Sequence, residues 1–181
     1  STGIRNRQRS RVGACNLCAL PVFYVTGRGT HMPDYHLAQI NIAKFRKSRA
    51  HPDNRDFYAA IESVHKAADE HAGFVWRWTE DDMPVAIRQF RNPKITINMT
   101  VWESLEALGA FAYRQSNHKT VFARKDDWFE PLPVSVALWW VPAGHLPSIE
   151  EGKERLDYPE THGPSERAFT FKERFPAPVS V

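Results

Sequence analysis

The sequence has two cysteines in 181 residues and no acidic side chain among its first 31 positions. Nor does it contain the run of roughly eighteen apolar residues that a membrane-spanning helix needs, so no membrane span is expected. Cys15 and Cys18 cannot staple a chain of this size; a disulfide framework is excluded and a reducing, cytoplasmic compartment is the expectation. Internal repeats and low-complexity tracts are missing as well, which removes a collagen-like chain. There is no Gly-rich phosphate loop and no serine elbow. A zinc site would need three or four converging ligands, and His65 and His71, six apart, do not share a helical face. No metal is therefore expected. What is present, 42% hydrophobic and 25% charged residues, suffices for one domain with a core and excludes wholesale disorder.

The positive charge sits at one end. Arg5, Arg7, Arg9, Arg11 and Arg28 stand among no acids, leaving 19 basic against 21 acidic residues in 32–181. The basic character belongs to the tail, and the body carries no nucleic-acid footprint. Pro21 interrupts the tail's apolar run, against a signal peptide. Arginine-rich sequence before Cys15 argues against a lipoprotein anchor. The remaining reading takes residues 1–31 as a cloning-derived or mis-started leader joined at His31-Met32, with one domain over 32–181. Cys15-Asn16-Leu17-Cys18 has the spacing of half a zinc or redox site, with no second pair.

Alternation predicts a strand over Tyr35–Ile42, then a polar loop in which Asp53 can cap a helix. Phe57, Ile61, Val64 and Ala68 recur at helical spacing and predict a helix over 54–71. Strands follow at Phe74–Thr79, Ile95–Trp102 and Val134–Val141, with a proline-containing loop over 80–94. Ser104 can cap a helix facing inward through Leu105, Leu108 and Phe111. A further helix carries His118 and Trp128. Ser148-Ile149-Glu150-Glu151 fits a capping box opening a short helix, and Ala168–Phe171 reads as an extra last strand. The order is β-α-β-β-α-β, an α+β sandwich of helices over one mostly antiparallel sheet.

Sorting these strands by face puts Ala38, Ile40, Phe74, Trp76, Ile97, Met99, Leu138 and Trp140 together. Gln39, Asn41, Arg77, Thr96, Asn98, Thr100, Trp102 and Trp139 fall on the other side. The second face is polar yet holds two indoles, each able to bury roughly 150–250 Å². A cover is expected there: a ligand, the last segment of the chain or a second copy. A homodimer is the expected assembly.

Met32-Pro33-Asp34-Tyr35-His36-Leu37-Ala38-Gln39-Ile40-Asn41, Val101-Trp102-Glu103-Ser104-Leu105-Glu106-Ala107-Leu108 and Leu138-Trp139-Trp140-Val141-Pro142-Ala143-Gly144-His145 together resemble a bacterial domain-of-unknown-function family (three-two-nine-one). So do His162-Gly163-Pro164 and Ala168-Phe169-Thr170-Phe171, and the blocks span 32–178. The family is similar to the dimeric α+β barrel group that includes antibiotic-biosynthesis monooxygenases. The resemblance implies a ferredoxin-like protomer, a sheet packed against its twin and a small-molecule pocket between sheet and helices. It brings no assigned reaction.

Two classes of function follow. As an enzyme, the protein would oxidise an aromatic or polyketide-like metabolite without a cofactor. Asn98, Gln39 or Asn41 would polarise a carbonyl, Trp102 would pack the substrate and His118 would exchange a proton. His36, Arg77 and Trp139 are further ligand-binding candidates, Arg77 because a mid-strand guanidinium can hold a carboxylate. As a non-catalytic ligand-binding or stress protein, it would use the same pocket only to sequester a molecule. A third expectation is haem ligation through His118.

Overall fold

The computed structural model describes residues 34–114 and 123–179. The first strand, β1 (Tyr35–Phe45), is the spine of the sheet. Behind it come α1 (Arg55–Asp69), β2 (Phe74–Arg77), α2 (Met83–Phe90), β3 (Ile95–Trp102) and α3 (Leu105–Arg114). The chain continues with α4 (Lys125–Trp128), β4 (Phe129–Glu130), β5 (Val136–Pro142) and α5 (Ile149–His162). All pairings are antiparallel, in the order β2-β3-β1-β5. The short β4 shares the β5 edge of β1 through Lys44↔Glu130 and Phe45↔Phe129. That pairing carries β1 three residues past the expected end at Ile42. The Asp53 cap also moves: Asn54 stands at the start of α1, and its amide donates back to the Ser48 and Arg49 carbonyls.

Three other expectations change. The segment expected as a loop contains α2, where Pro84 sits in the first turn, the one part of a helix that needs no N–H from it. The helix opened by the Ser148 capping box is long: Ser148 Oγ accepts from Glu151 N at 3.2 Å and the helix runs to His162. The expected last strand reduces to two isolated bridges, a local one between Ser165 and Ala168 and one to the sheet, in which Leu138 and Phe169 exchange backbone hydrogen bonds of 2.8 and 2.9 Å. Of the helix expected to carry His118 and Trp128, the part at 118–122 lies outside the described residues, and α4 holds Trp128.

Helices cover both faces of the sheet. Ala38, Ile40, Ile97, Met99, Val101, Trp139 and Val141 form one core with Met83 and Ala86 of α2 and Ile149 and Leu156 of α5. Leu37, Trp102 and Leu138 form another with Val64 and Ala68 of α1, Leu108 and Phe111 of α3, and Phe169. The face assignment of β5 is thereby corrected. Trp139 lies opposite Ala38, and Trp140 opposite Leu37 beside Trp102. A strand reading Ala-Leu-Trp-Trp-Val is apolar on both sides, so its own pattern leaves the phase open, and one residue of slip exchanges the faces. Phe74 also changes sides, because a bulge between Phe74 and Trp76 places it opposite Trp102.

Trp102 and Trp139 are both 1% exposed, each under helices of the same chain. They are hidden as expected, but the protomer itself hides them. The indoles therefore supply no reason for a second copy.

Candidate functional site

Alternation along β1 and β3 puts Gln39 opposite Thr100 and Asn41 opposite Asn98 on the α1/α3 side. These residues lie between the core around Leu37 and Trp102 and a separate aromatic cluster of Phe45, Phe57 and Trp128. The polar strip is wired end to end. Trp102 Nε1 donates to Thr100 Oγ1 at 2.9 Å, and the Thr100 hydroxyl donates to Gln39 Oε1 at 2.9 Å. Gln39 Nε2 donates to Asn41 Oδ1 at 3.0 Å, which also accepts from Asn98 Nδ2 at 3.0 Å.

The chain starts under α3 at a fully buried indole and ends at Asn41, which is exposed. Its chemistry follows by counting. Asn41 has spent its acceptor on two amides and keeps its Nδ2 hydrogens, while Asn98 keeps its Oδ1 acceptor. The open end thus presents a donor beside an acceptor, both polarised by the bonds behind them.

Of the residues singled out in the sequence, Gln39, Asn41, Asn98 and Trp102 come together. Thr100 is the member that was passed over, although it stands between Asn98 and Trp102 on the same face and could have been taken from alternation alone. Arg77 is committed elsewhere: its guanidinium grips Asp69 in two bonds, 2.8 and 3.1 Å, and donates to the His65 carbonyl at 3.1 Å. Burial first, and then the Arg77 charge, push the His65 pKa below its ordinary value. His36 and Trp139 lie on the opposite face. His36 is 6% exposed, and neither ring nitrogen has a hydrogen-bond partner among the described residues. His118 lies outside the described residues.

A second polar group sits on the α5 side. Trp139 Nε1 donates to Glu151 Oε1 at 2.8 Å, and His145 Nε2 lies 2.7 Å from Glu151 Oε2. Gly144, at φ 86°, makes the turn that brings His145 back to α5. A six-residue spacing across a turn and a helix start has no period, so no sequence pattern pairs these two residues. The described residues hold no group of three or more His, Cys, Asp or Glu side chains placed to bind a metal ion. Among them no helix is long and apolar enough to cross a membrane.

The fold and the strip together define an α+β protein whose single antiparallel sheet is covered on both faces and floored on one by an amide relay. The chain belongs to the family described as Domain of unknown function (DUF3291), which matches residues 36–181. No curated protein matches it. Among solved structures it is similar to SnoaB, a cofactor-independent oxygenase from Streptomyces nogalater, at 12% identity and TM-score 0.39, covering 61% of this chain and 95% of that one. A conserved protein from Methanosarcina mazei Go1 matches at 12% identity and TM-score 0.42, over 60% of this chain and 93% of that one. A candidate antibiotic biosynthesis monooxygenase from Chloroflexus aurantiacus J-10-fl matches at 16% identity and TM-score 0.39, over 63% of this chain and 98% of that one.

Proposed function

We propose that the protein binds a small aromatic or polyketide-type molecule at the Asn41–Asn98 end of the polar strip and acts on it as a cofactor-independent, monooxygenase-like enzyme. The observation that carries the reading is the hydrogen-bond chain from Trp102 to Asn98. It fixes the orientation of every amide and leaves one donor next to one acceptor at its open end. A ligand carbonyl would accept from Asn41 Nδ2, and a neighbouring hydroxyl would donate to Asn98 Oδ1. Aromatic ketones with an adjacent hydroxyl carry this pair.

The chemistry asked of the site is modest. Negative charge that grows on the ligand carbonyl as a proton leaves is stabilised by the Asn41 amide, whose dipole is already aligned and needs no reorganisation. An electron-rich anion of this kind can give electrons to dioxygen directly. One oxygen atom enters an activated methylene as a carbonyl, and the other leaves as water with the two methylene hydrogens. His118 is the proposed proton carrier.

The test is titration of a hydroxylated aromatic ketone against intrinsic fluorescence, followed by oxygen uptake on mixing. Saturable binding that Asn98→Leu weakens at least about tenfold, roughly 1.4 kcal/mol, together with oxygen consumption, supports the reading. Saturable binding without oxygen uptake turns it into the sequestering protein. Binding that Asn98→Leu leaves untouched removes the site.

The homodimer belongs to this proposal in altered form. Since α1 and α3 cover the Trp102 end of one sheet face and α2 and α5 cover the other face, two copies would meet outside these covered surfaces, and each Asn41–Asn98 site is built from one chain.

A further inference from the structure

We propose that the groove between α3 and the C-terminal segment is a second binding site, one that takes a small aromatic zwitterion of the α-amino-acid type. Helix α3 has two working faces. Leu108 and Phe111 enter the core. Leu105, Gly109 and Tyr113, spaced by one turn, line the groove together with Glu106, and the groove has a volume of about 320 Å³. Its facing wall is Phe171 and Arg174. That wall is held in place by the Leu138–Phe169 bridge and by Trp140 Nε1, which donates to the Phe175 carbonyl at 2.9 Å. The volume is that of a small-molecule site.

Three features select the occupant. Gly109 stands in mid-helix, where glycine costs roughly 0.5–1 kcal/mol against alanine, yet a Cβ built on it would meet nothing within 4 Å. No packing contact requires glycine there; what it does is keep the groove floor open. Tyr113 is 58% exposed and meets Phe171 edge to face, ring centroids 5.6 Å apart, so two aromatic rings border the open space and offer a flat guest both a face and an edge.

The charges complete the selection. Arg174 uses Nε on the Phe171 carbonyl at 2.9 Å and keeps both terminal nitrogens without a partner among the described residues. The Glu106 carboxylate likewise has no hydrogen-bond or ion-pair partner among them, although both groups line one groove. A carboxylate alone would be repelled by Glu106, and an ammonium alone by Arg174. A ligand carrying both, with an aromatic side chain, satisfies both ends and fills the slot.

Calorimetric titration of the full chain with L-phenylalanine, phenylacetate, phenethylamine and L-alanine tests this. The expected result is one site for L-phenylalanine, with each of the other three weaker by about tenfold or more. Arg174→Gln and Glu106→Gln should each weaken L-phenylalanine by a similar factor. Gly109→Leu should abolish binding while the melting temperature holds or rises, since leucine is the better helix former and its side chain enters empty space. Phenylacetate binding as well as L-phenylalanine, binding that survives Gly109→Leu in the folded protein, or no heat at millimolar ligand would each overturn the proposal.

Discussion

Thr100 shows how much one hydroxyl organises in this sheet. It accepts from the Trp102 indole and donates to Gln39, so the orientation of each amide beyond it depends on that one side chain. Thr100→Val keeps the shape and removes both bonds. It leaves a buried indole N–H and an amide oxygen without partners, at a cost of about 1–3 kcal/mol. Urea unfolding should show that loss, and ligand titration should show weaker binding at Asn41 and Asn98, which the variant does not touch. His65 carries the pH dependence at this scale. Burial and Arg77 lower its pKa, so the unfolded chain takes up a proton at higher pH than the native one. Stability is then full above the unfolded value of about 6.5 and is lost as pH falls through the lower native one. Unfolding midpoints between pH 5 and 8 should fall with acidification and flatten in His65→Gln. The members of the strip were legible in the sequence because period-two alternation sorts β1 and β3 without ambiguity. The partners of Arg77 and His145 were not, because they depend on where a helix end comes to rest against the sheet.

Among the elements, α5 decides most about this molecule. Gly152 lets it approach: a Cβ there would lie 2.8 Å from Ile40 Cδ1 and 2.9 Å from Met99 Sδ. Gly152→Ala sets a gain in helix propensity against overpacking of a fully buried pair, and overpacking of this kind costs about 1–3 kcal/mol. A net drop in melting temperature is expected; a rise would mean that the α5 contact is loose. The helix also carries Glu151, which fastens both Trp139 and His145. Its start was readable from the Ser148 box. Its length and the face it covers were not, since a weakly amphipathic, charge-rich stretch looks the same whether it covers a sheet or lies in water. The α2 segment was hidden for a related reason: a proline in the first turn is compatible with a helix, but it also reads as a loop.

For the whole molecule, the covered faces set the terms of assembly. Packing sheet on sheet would require α2 and α5 to leave a core that includes Ala38, Met99 and Trp139, all 0–1% exposed. Light scattering across a concentration series should therefore give either the 20.8 kDa chain or a pair whose formation leaves Trp139 fluorescence unchanged. A pair that forms only with a large change in that fluorescence would show that the helical cover opens. From the sequence alone came the α+β character, the helix starts marked by Ser104 and Ser148, and the polar file on β1 and β3, although α2 between β2 and β3 and the short β4 interrupt the expected βαββαβ order. Each follows from local periodicity and capping, which act over a few residues. The phase of β5, the bulge after Phe74, the helical cover on both faces and the closing of the amide relay were settled only in three dimensions. Strands apolar on both sides and helices of mixed character are locally degenerate, and only the burial of one surface against another removes that degeneracy.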